Sequence, residues 1–201
     1  MESPLHDWYY DHLILARRQP MCGHPHRRGQ AAQAEPGPLV PLSLADLVGR
    51  YPNLRPPVIH GLLRRGETMN LIAPPKTGKS WLVTDLALSV ATGRPWLDTF
   101  VTEPGHVLII DNELHPETSA HRIPKVAAAH HIPLAHVGPR LHVQNLRGRW
   151  QDIFSLGTYF RSLQPGRFQL IILDAMYRFM PREMDENDNG TMASVYNAID
   201  R

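Results

Sequence analysis

The chain is almost without cysteine. Cys22 stands alone, so no intramolecular disulfide can form, and a reducing, cytoplasmic setting is the expectation. Long apolar runs are missing too. The longest, such as Val107 to Ile110 and Leu170 to Leu173, fall far short of the roughly 20 residues that span a bilayer. His6, Asp7 and Asp11 interrupt the N-terminus, and no basic-then-apolar signal pattern is present. A membrane partner is therefore not expected. Charge of one sign is also scarce. The formal net charge of +2 is too small to argue for nucleic acid by itself. No internal repeat is visible.

Apolar residues make up 42% of the 201 positions, the level of an ordinary globular protein with a packed core. The 19 prolines are unevenly placed. Residues 1–41 read as a disordered tail or linker. Met1 to Arg18 has room for a short helix around Trp8, Tyr9, Leu13 and Leu15. Gln19 to Pro41, rich in Pro, Gly, Gln, Ala and His, cannot bury enough apolar surface to offset the entropy of ordering it. Residues 42–201 have a different texture. Ser43 is placed to cap a short helix, Leu44 to Arg50, with Leu44, Leu47 and Val48 on one face. Strands are expected at Thr68 to Ala73, His106 to Asp111, Arg140 to Asn145 and Phe168 to Asp174. Helices are expected at Lys79 to Ala91, Pro116 to Ala129, Trp150 to Leu163 and Thr191 to Ile199. The first has Leu82, Leu86, Ala87 and Val90 inward and stops at Gly93 and Pro95. Continuous apolar runs at the second and fourth strands are the pattern of strands buried on both faces. Alternation of strands and helices predicts an α/β fold, a parallel sheet with helices on both faces.

The segment Ala73-Pro74-Pro75-Lys76-Thr77-Gly78-Lys79-Ser80 follows the first strand and opens the first long helix. It fits G-x-x-x-x-G-K-[ST], with Ala73 where the first glycine belongs. A triphosphate needs several donors converging on its oxygens. The N–H groups of a loop that opens a helix supply them, aided by the positive end of the helix dipole. Pro74 and Pro75 carry no N–H, so the cradle falls to Lys76 through Trp81. Lys79 is expected to reach the β- and γ-phosphates, and Ser80 to place its hydroxyl on Mg²⁺. ATP with Mg²⁺ is the expected ligand.

Two strands end in acids. Asp174 closes Leu170-Ile-Ile-Leu173, a carboxylate at the C-terminal edge of the sheet where Mg²⁺ is held directly or through water. The other run ends Asp111-Asn-Glu113. One of its two acids would orient the water that attacks the γ-phosphate. Glu113 is positioned to lean over the nucleotide, and Asp111 to cap the next turn. Position alone leaves the choice open.

Other patterns carry less. Asp185 to Gly190 matches half of a calcium loop, but the position of its bidentate glutamate is Tyr196. Cys22, His24 and His26 lack a fourth ligand. His115, His121, His130, His131, His136 and His142 show no metal spacing and read as surface or packing residues.

Leu62 to Ser80, Ile109 to Glu113 and Leu170 to Asp174 together resemble the RecA-like AAA family of P-loop ATPases. Among its branches they look most like the RepA-type hexameric replicative helicases. The resemblance covers about Leu42 to Arg201. It implies ATP hydrolysis coupled to DNA unwinding or remodelling, a ring-like homo-oligomer and single-stranded DNA as a partner. It moves Glu113 ahead of Asp111 as the catalytic carboxylate, beside Lys79. It also implies a further strand, one helix beyond Asp174, inserted between the phosphate-loop strand and the Asp174 strand, and an arginine finger beyond. Arg178, Arg182 and Arg201 are the only arginines after Asp174, and none follows such a strand. The expectation is a fold incomplete at the C-terminus, with two unpaired edges inside the sheet, and a poor ATPase. A nucleotide-binding regulatory or scaffolding protein with little turnover, or an inactive fragment, is the alternative.

Overall fold

The computed structural model describes residues 12–16, 40–74, 76–149, 152–181 and 189–199. A five-stranded sheet forms the centre. Its strands are β1 (His12–Ala16), β4 (Thr68–Leu71), β5 (Val107–Asp111), β6 (Leu141–Asn145) and β7 (Leu170–Asp174), in the order β4-β1-β7-β5-β6. β7, β5 and β6 are parallel in strict register, with Val107 level with Leu170 and Leu141, and Asp111 level with Asp174 and Asn145. A separate ribbon pairs β2 (Pro57–Ile59) with β3 (Leu63–Arg64).

The helices are α1 (Leu44–Arg50), α2 (Lys79–Thr92), α3 (Pro116–Ala129), α4 (Leu134–Val137), α5 (Leu156–Ser162) and α6 (Asn189–Ile199), with a 3₁₀ turn at Met176–Phe179. Side chains alternate across a strand, so the apolar runs of β5 and β7 serve two cores at once. Val107, Ile109, Leu170 and Ile172 pack with α2, α3 and the β2–β3 ribbon. Leu108, Ile110, Ile171 and Leu173 pack with α5, α6 and the 3₁₀ turn. All five residues of each strand are buried. The structure is thus the expected α/β fold, a parallel three-stranded sheet flanked by helices.

Two expectations are corrected. His12–Ala16 is a strand rather than one face of a helix or part of a tail. It pairs antiparallel with both β4 and β7, from His12 beside Leu71 and Asp174. The slot expected to stand empty between the phosphate-loop strand and the Asp174 strand is therefore filled, and no unpaired edge remains there. Residues 1–11 and 17–39, with Cys22, His24 and His26, lie outside the described residues. So do Asp185 to Asp188.

The second correction concerns α2. It is buried from Val83 through Ala91, not along one stripe. Thr84, Asp85 and Ser89 are buried with the apolar residues because each finds a partner. Thr84 donates to the Ser80 carbonyl at 2.7 Å. Asp85 pairs with Arg94 and, at 2.8 Å, with His130 at the end of α3. α1 spans Leu44–Arg50, as expected. Ser43 caps it, accepting from the Asp46 N–H at 3.1 Å. Leu44, Leu47 and Val48, on its apolar face, are exposed.

Candidate functional site

β4 ends at Leu71 and α2 begins at Lys79, so the loop between them leaves the C-terminal edge of the sheet and turns directly into a long buried helix. Gly78 is the N-cap, with φ 93°, a left-handed conformation that disfavours any side chain. It supplies no side-chain cap, which leaves the first N–H groups of α2 directed at the loop. Lys76 also has a positive φ of 64°, an uncommon conformation for a residue with a Cβ. Such geometry wraps a backbone around a small volume, as an anion cradle requires.

Within the cradle the lysine folds back on its own loop. Lys79 Nζ donates to the Ala73 carbonyl at 2.6 Å and to the Pro74 carbonyl at 3.0 Å. Thr77 Oγ1 donates to the same Pro74 carbonyl at 2.8 Å. Pro75 lies outside the described residues. Ser80 is half-buried at the first turn of α2. Trp81, next to it, is 45% exposed, and the Arg122 guanidinium lies 4.8 Å from its ring centroid.

Ser80, Asp111, Asp174, Thr84, Ser119 and Arg122 line one cleft between α2, β5 and α3. Asp111 and Asp174 come together because they end neighbouring strands in register. Both are buried. Asp111 Oδ1 accepts the N–H groups of Glu113 and Leu114, each at 2.8 Å, and so caps the turn that follows β5. Burial pushes the Asp111 carboxyl above its ordinary value of 3.8; the charges of Asp174 and Glu113 add to the rise, and the two N–H groups oppose it.

Glu113 is not among the residues lining that cleft. Its carboxylate Oε1 accepts from Tyr177 Oη at 2.6 Å, and Arg178 Nε lies 3.4 Å away. Arg178 Nε also donates to Tyr177 Oη at 3.0 Å. Burial raises the Tyr177 phenol, as does the bond to Glu113, so the hydroxyl stays a donor. Arg178, which sequence reasoning weighed only as a finger, is thus engaged within its own chain. Arg182 and Arg201 lie outside the described residues.

Several contributors were not anticipated. Asn112 bridges the ends of β5 and β7: its N–H donates to the Asp174 carbonyl at 2.9 Å, and its side-chain oxygen accepts the Ala175 N–H at 3.2 Å. Arg147 donates to the Glu113 carbonyl at 2.8 Å. Asn145 donates to Ser119 Oγ at 2.9 Å. The signal available for all of them was position, since each sits at or just past the C-terminal end of a strand.

A protein-family model for the AAA domain matches residues 33–201. The chain belongs to the AAA-domain family. That membership places it among the nucleotide-binding P-loop ATPases, in accord with the loop at Gly78 to Ser80 and the acids opposite it. Compared with curated proteins, the chain has no match. Among the described residues, no helix of this AAA domain is long and apolar enough to cross a membrane.

A divalent cation is the group that such a family implies. The donors present fit a hard one. Ser80, Asp111 and Asp174 offer oxygen alone, and the two neighbouring buried carboxylates carry a repulsion that a cation would relieve. Among the described residues no three His, Cys, Asp or Glu side chains converge. A cation held here would complete its shell from phosphate and water, as Mg²⁺ does.

Proposed function

We propose that the chain binds ATP with Mg²⁺ and hydrolyses it. The observation that carries this reading is the convergence of Ser80, the last residue of the Ala73–Ser80 loop, with Asp111 and Asp174 on one cleft. In this reading the N–H groups from Lys76 to Trp81 hold the phosphates. Lys79 exchanges its bonds to the Ala73 and Pro74 carbonyls for the β- and γ-phosphates. Ser80 and Asp174 hold Mg²⁺, which supplies charge neutralisation on the phosphate oxygens. Glu113 directs the attacking water. Asp111 fixes the Glu113 backbone and adds a second carboxylate beside Asp174.

We further propose that turnover drives work on DNA within a ring-like homo-oligomer, cytoplasmic in setting, as in the RepA-type helicases that the motifs resemble. The sequence resemblance supports this step. The alternative, a nucleotide-controlled regulator with little turnover, draws support from the Tyr177 and Arg178 contacts that occupy the Glu113 carboxylate.

The test is calorimetric titration with Mg-ATP alongside phosphate release. Lys79→Ala is expected to weaken binding by about 10- to 100-fold, the weight of hydrogen bonds to a charged group. Glu113→Gln is expected to bind normally and lose turnover. Unchanged affinity and turnover in Lys79→Ala would refute the phosphate-loop reading. Stimulation of phosphate release by single-stranded DNA separates motor from regulator.

A further inference from the structure

α2 sends every large apolar side chain but one into the core. Leu82, Val83, Leu86, Leu88 and Val90 all pack there. Trp81 does not. It is 45% exposed, in the first turn of the helix, directly after Ser80. An indole is the largest apolar surface a side chain can leave in water. The ring is nevertheless held in place. The Arg122 guanidinium, from α3, lies over it at 4.8 Å from the centroid, within the range of a cation–π contact. Arg122 is itself half-buried and lines the cleft of Ser80, Asp111 and Asp174. The indole is therefore an oriented, solvent-facing ring beside that cleft. Chain order says what such a ring meets. In the phosphate-loop reading, Lys79 and Ser80 serve the distal phosphates and the metal, and the Trp81 N–H is the last of the cradle. The inner phosphate and the nucleoside are what remain for the next side chain. A base has a π-face whatever its edge carries, and aromatic side chains stack on that face.

We propose that Trp81, backed by Arg122, is the platform on which the base of the bound triphosphate stacks, so that the site reads the face of a purine and not its edge. This rests on the reading of Ala73–Ser80 as the phosphate loop. Trp81 touches the base. Arg122 acts through the indole and is a positioning residue: its guanidinium fixes the angle of the ring before any ligand arrives. Preorganisation of this kind lowers the entropy cost of binding. Adenine and guanine differ at their edges and share their faces, so a stacking platform accepts both.

The experiment is calorimetric titration of the full chain and of Trp81→Ala, Trp81→Phe, Arg122→Ala and Lys79→Ala. Three ligands are used, each with Mg²⁺: ATP, GTP and inorganic tripolyphosphate, which carries three phosphates and no base. Both substitutions at Trp81 keep the backbone N–H of the cradle. Trp81→Ala is expected to lose about tenfold in affinity for ATP and for GTP, and to hold tripolyphosphate within about twofold of the unmodified chain. Trp81→Phe keeps a ring and is expected to recover most of the loss, which a merely structural defect would not do. Arg122→Ala is expected to lower ATP relative to tripolyphosphate by about fivefold. The unmodified chain is expected to bind ATP and GTP within about tenfold of each other. Equal losses for ATP and tripolyphosphate in Trp81→Ala, no loss for either, or no recovery in Trp81→Phe overturns the platform. An unchanged ratio of ATP to tripolyphosphate affinity in Arg122→Ala removes Arg122 from it. A larger preference for one base overturns reading by the face. Lys79→Ala separates this inference from the reading beneath it, because it should weaken all three ligands. If it weakens none, or if the unmodified chain binds none, the phosphate loop is refuted and the platform with it.

Discussion

Asp111→Asn is expected to make the ligand-free protein more stable at neutral pH. Asp111 and Asp174 end adjacent parallel strands in register, and both are buried. Strand spacing puts such groups about 5 Å apart, and two unit charges at that distance repel by about 3 kcal/mol at an effective dielectric of about 20. The asparagine oxygen can still accept the N–H groups of Glu113 and Leu114, and its amide can donate toward Asp174. It is a weaker acceptor than a carboxylate, which returns roughly 1 kcal/mol and leaves a net gain of about 1–2 kcal/mol. For a domain of this size each kcal/mol moves Tm by about 2–4 °C. The pH dependence has a definite sign. The folded-state value of Asp111 lies above 3.8, so the native chain holds the extra proton within that window. Wild-type stability therefore falls as pH rises from the ordinary value through the raised one. The advantage of the variant should shrink as pH falls through the window in which Asp111 takes up its proton, and be complete above it. Mg²⁺ should close the gap by stabilising wild type more than the variant. Melting curves across pH 4–8, with and without Mg²⁺, decide the matter. A variant less stable than wild type at neutral pH, or a difference that does not vary with pH, would refute the carboxylate-pair argument.

Three further outcomes follow from the geometry. Asn112→Ala should lose about 1–3 kcal/mol in urea denaturation, because it strands the Ala175 N–H in the core beside Asp174. Gly78→Ala meets nothing within 4 Å of its new Cβ but keeps a φ of 93°, so its cost is backbone strain of roughly 1–2 kcal/mol. About a tenfold loss of Mg-ATP affinity by calorimetry, with the fold retained, is expected. Ile14→Pro, or removal of residues 1–41, should abolish nucleotide-analogue binding and broaden the melt, since a proline is not tolerated in a strand paired on both sides.

The parts of the fold that the sequence announces are those whose signal is local. Val107 to Asp111 and Leu170 to Asp174 are apolar without interruption because both of their faces are covered, and the acids at their ends mark the edge of the sheet. The start of α2 is legible because Gly78-Lys79-Ser80 states both the turn and the chemistry. The contacts around Glu113 are not legible, since Tyr177 and Arg178 are more than sixty residues away and meet it only through the register of β5 and β7. The buried Asp85 is hidden for a similar reason: Arg94 lies beyond the end of α2 and His130 beyond the end of α3. Nor does the apolar stripe of α1 say what covers it, and in the folded chain its residues remain exposed.

β1 is the instructive miss. His-Leu-Ile-Leu-Ala is five residues with no turn signal on either side, and so short an apolar run suits a helix or a strand equally. What decides is the space it enters. β4 and β7 both run antiparallel to β1 and hence in one direction, and β7 carries four fully buried aliphatic residues. Backbone groups so deep in a core must be paired. A strand of either direction satisfies them, which is why a segment from the N-terminal side serves where the family resemblance pointed to a parallel strand from the other side. The register places the His12 backbone level with Leu71 and Asp174, at the edge where the phosphate loop begins and the Asp174 strand ends. One strand thus sets the spacing between β4, which leads into the loop before Lys79 and Ser80, and β7, which ends in Asp174. Through Asn112 and the turn at Tyr177 the same spacing reaches Glu113. β1 is on this account part of the scaffold that holds the phosphate loop against Asp174.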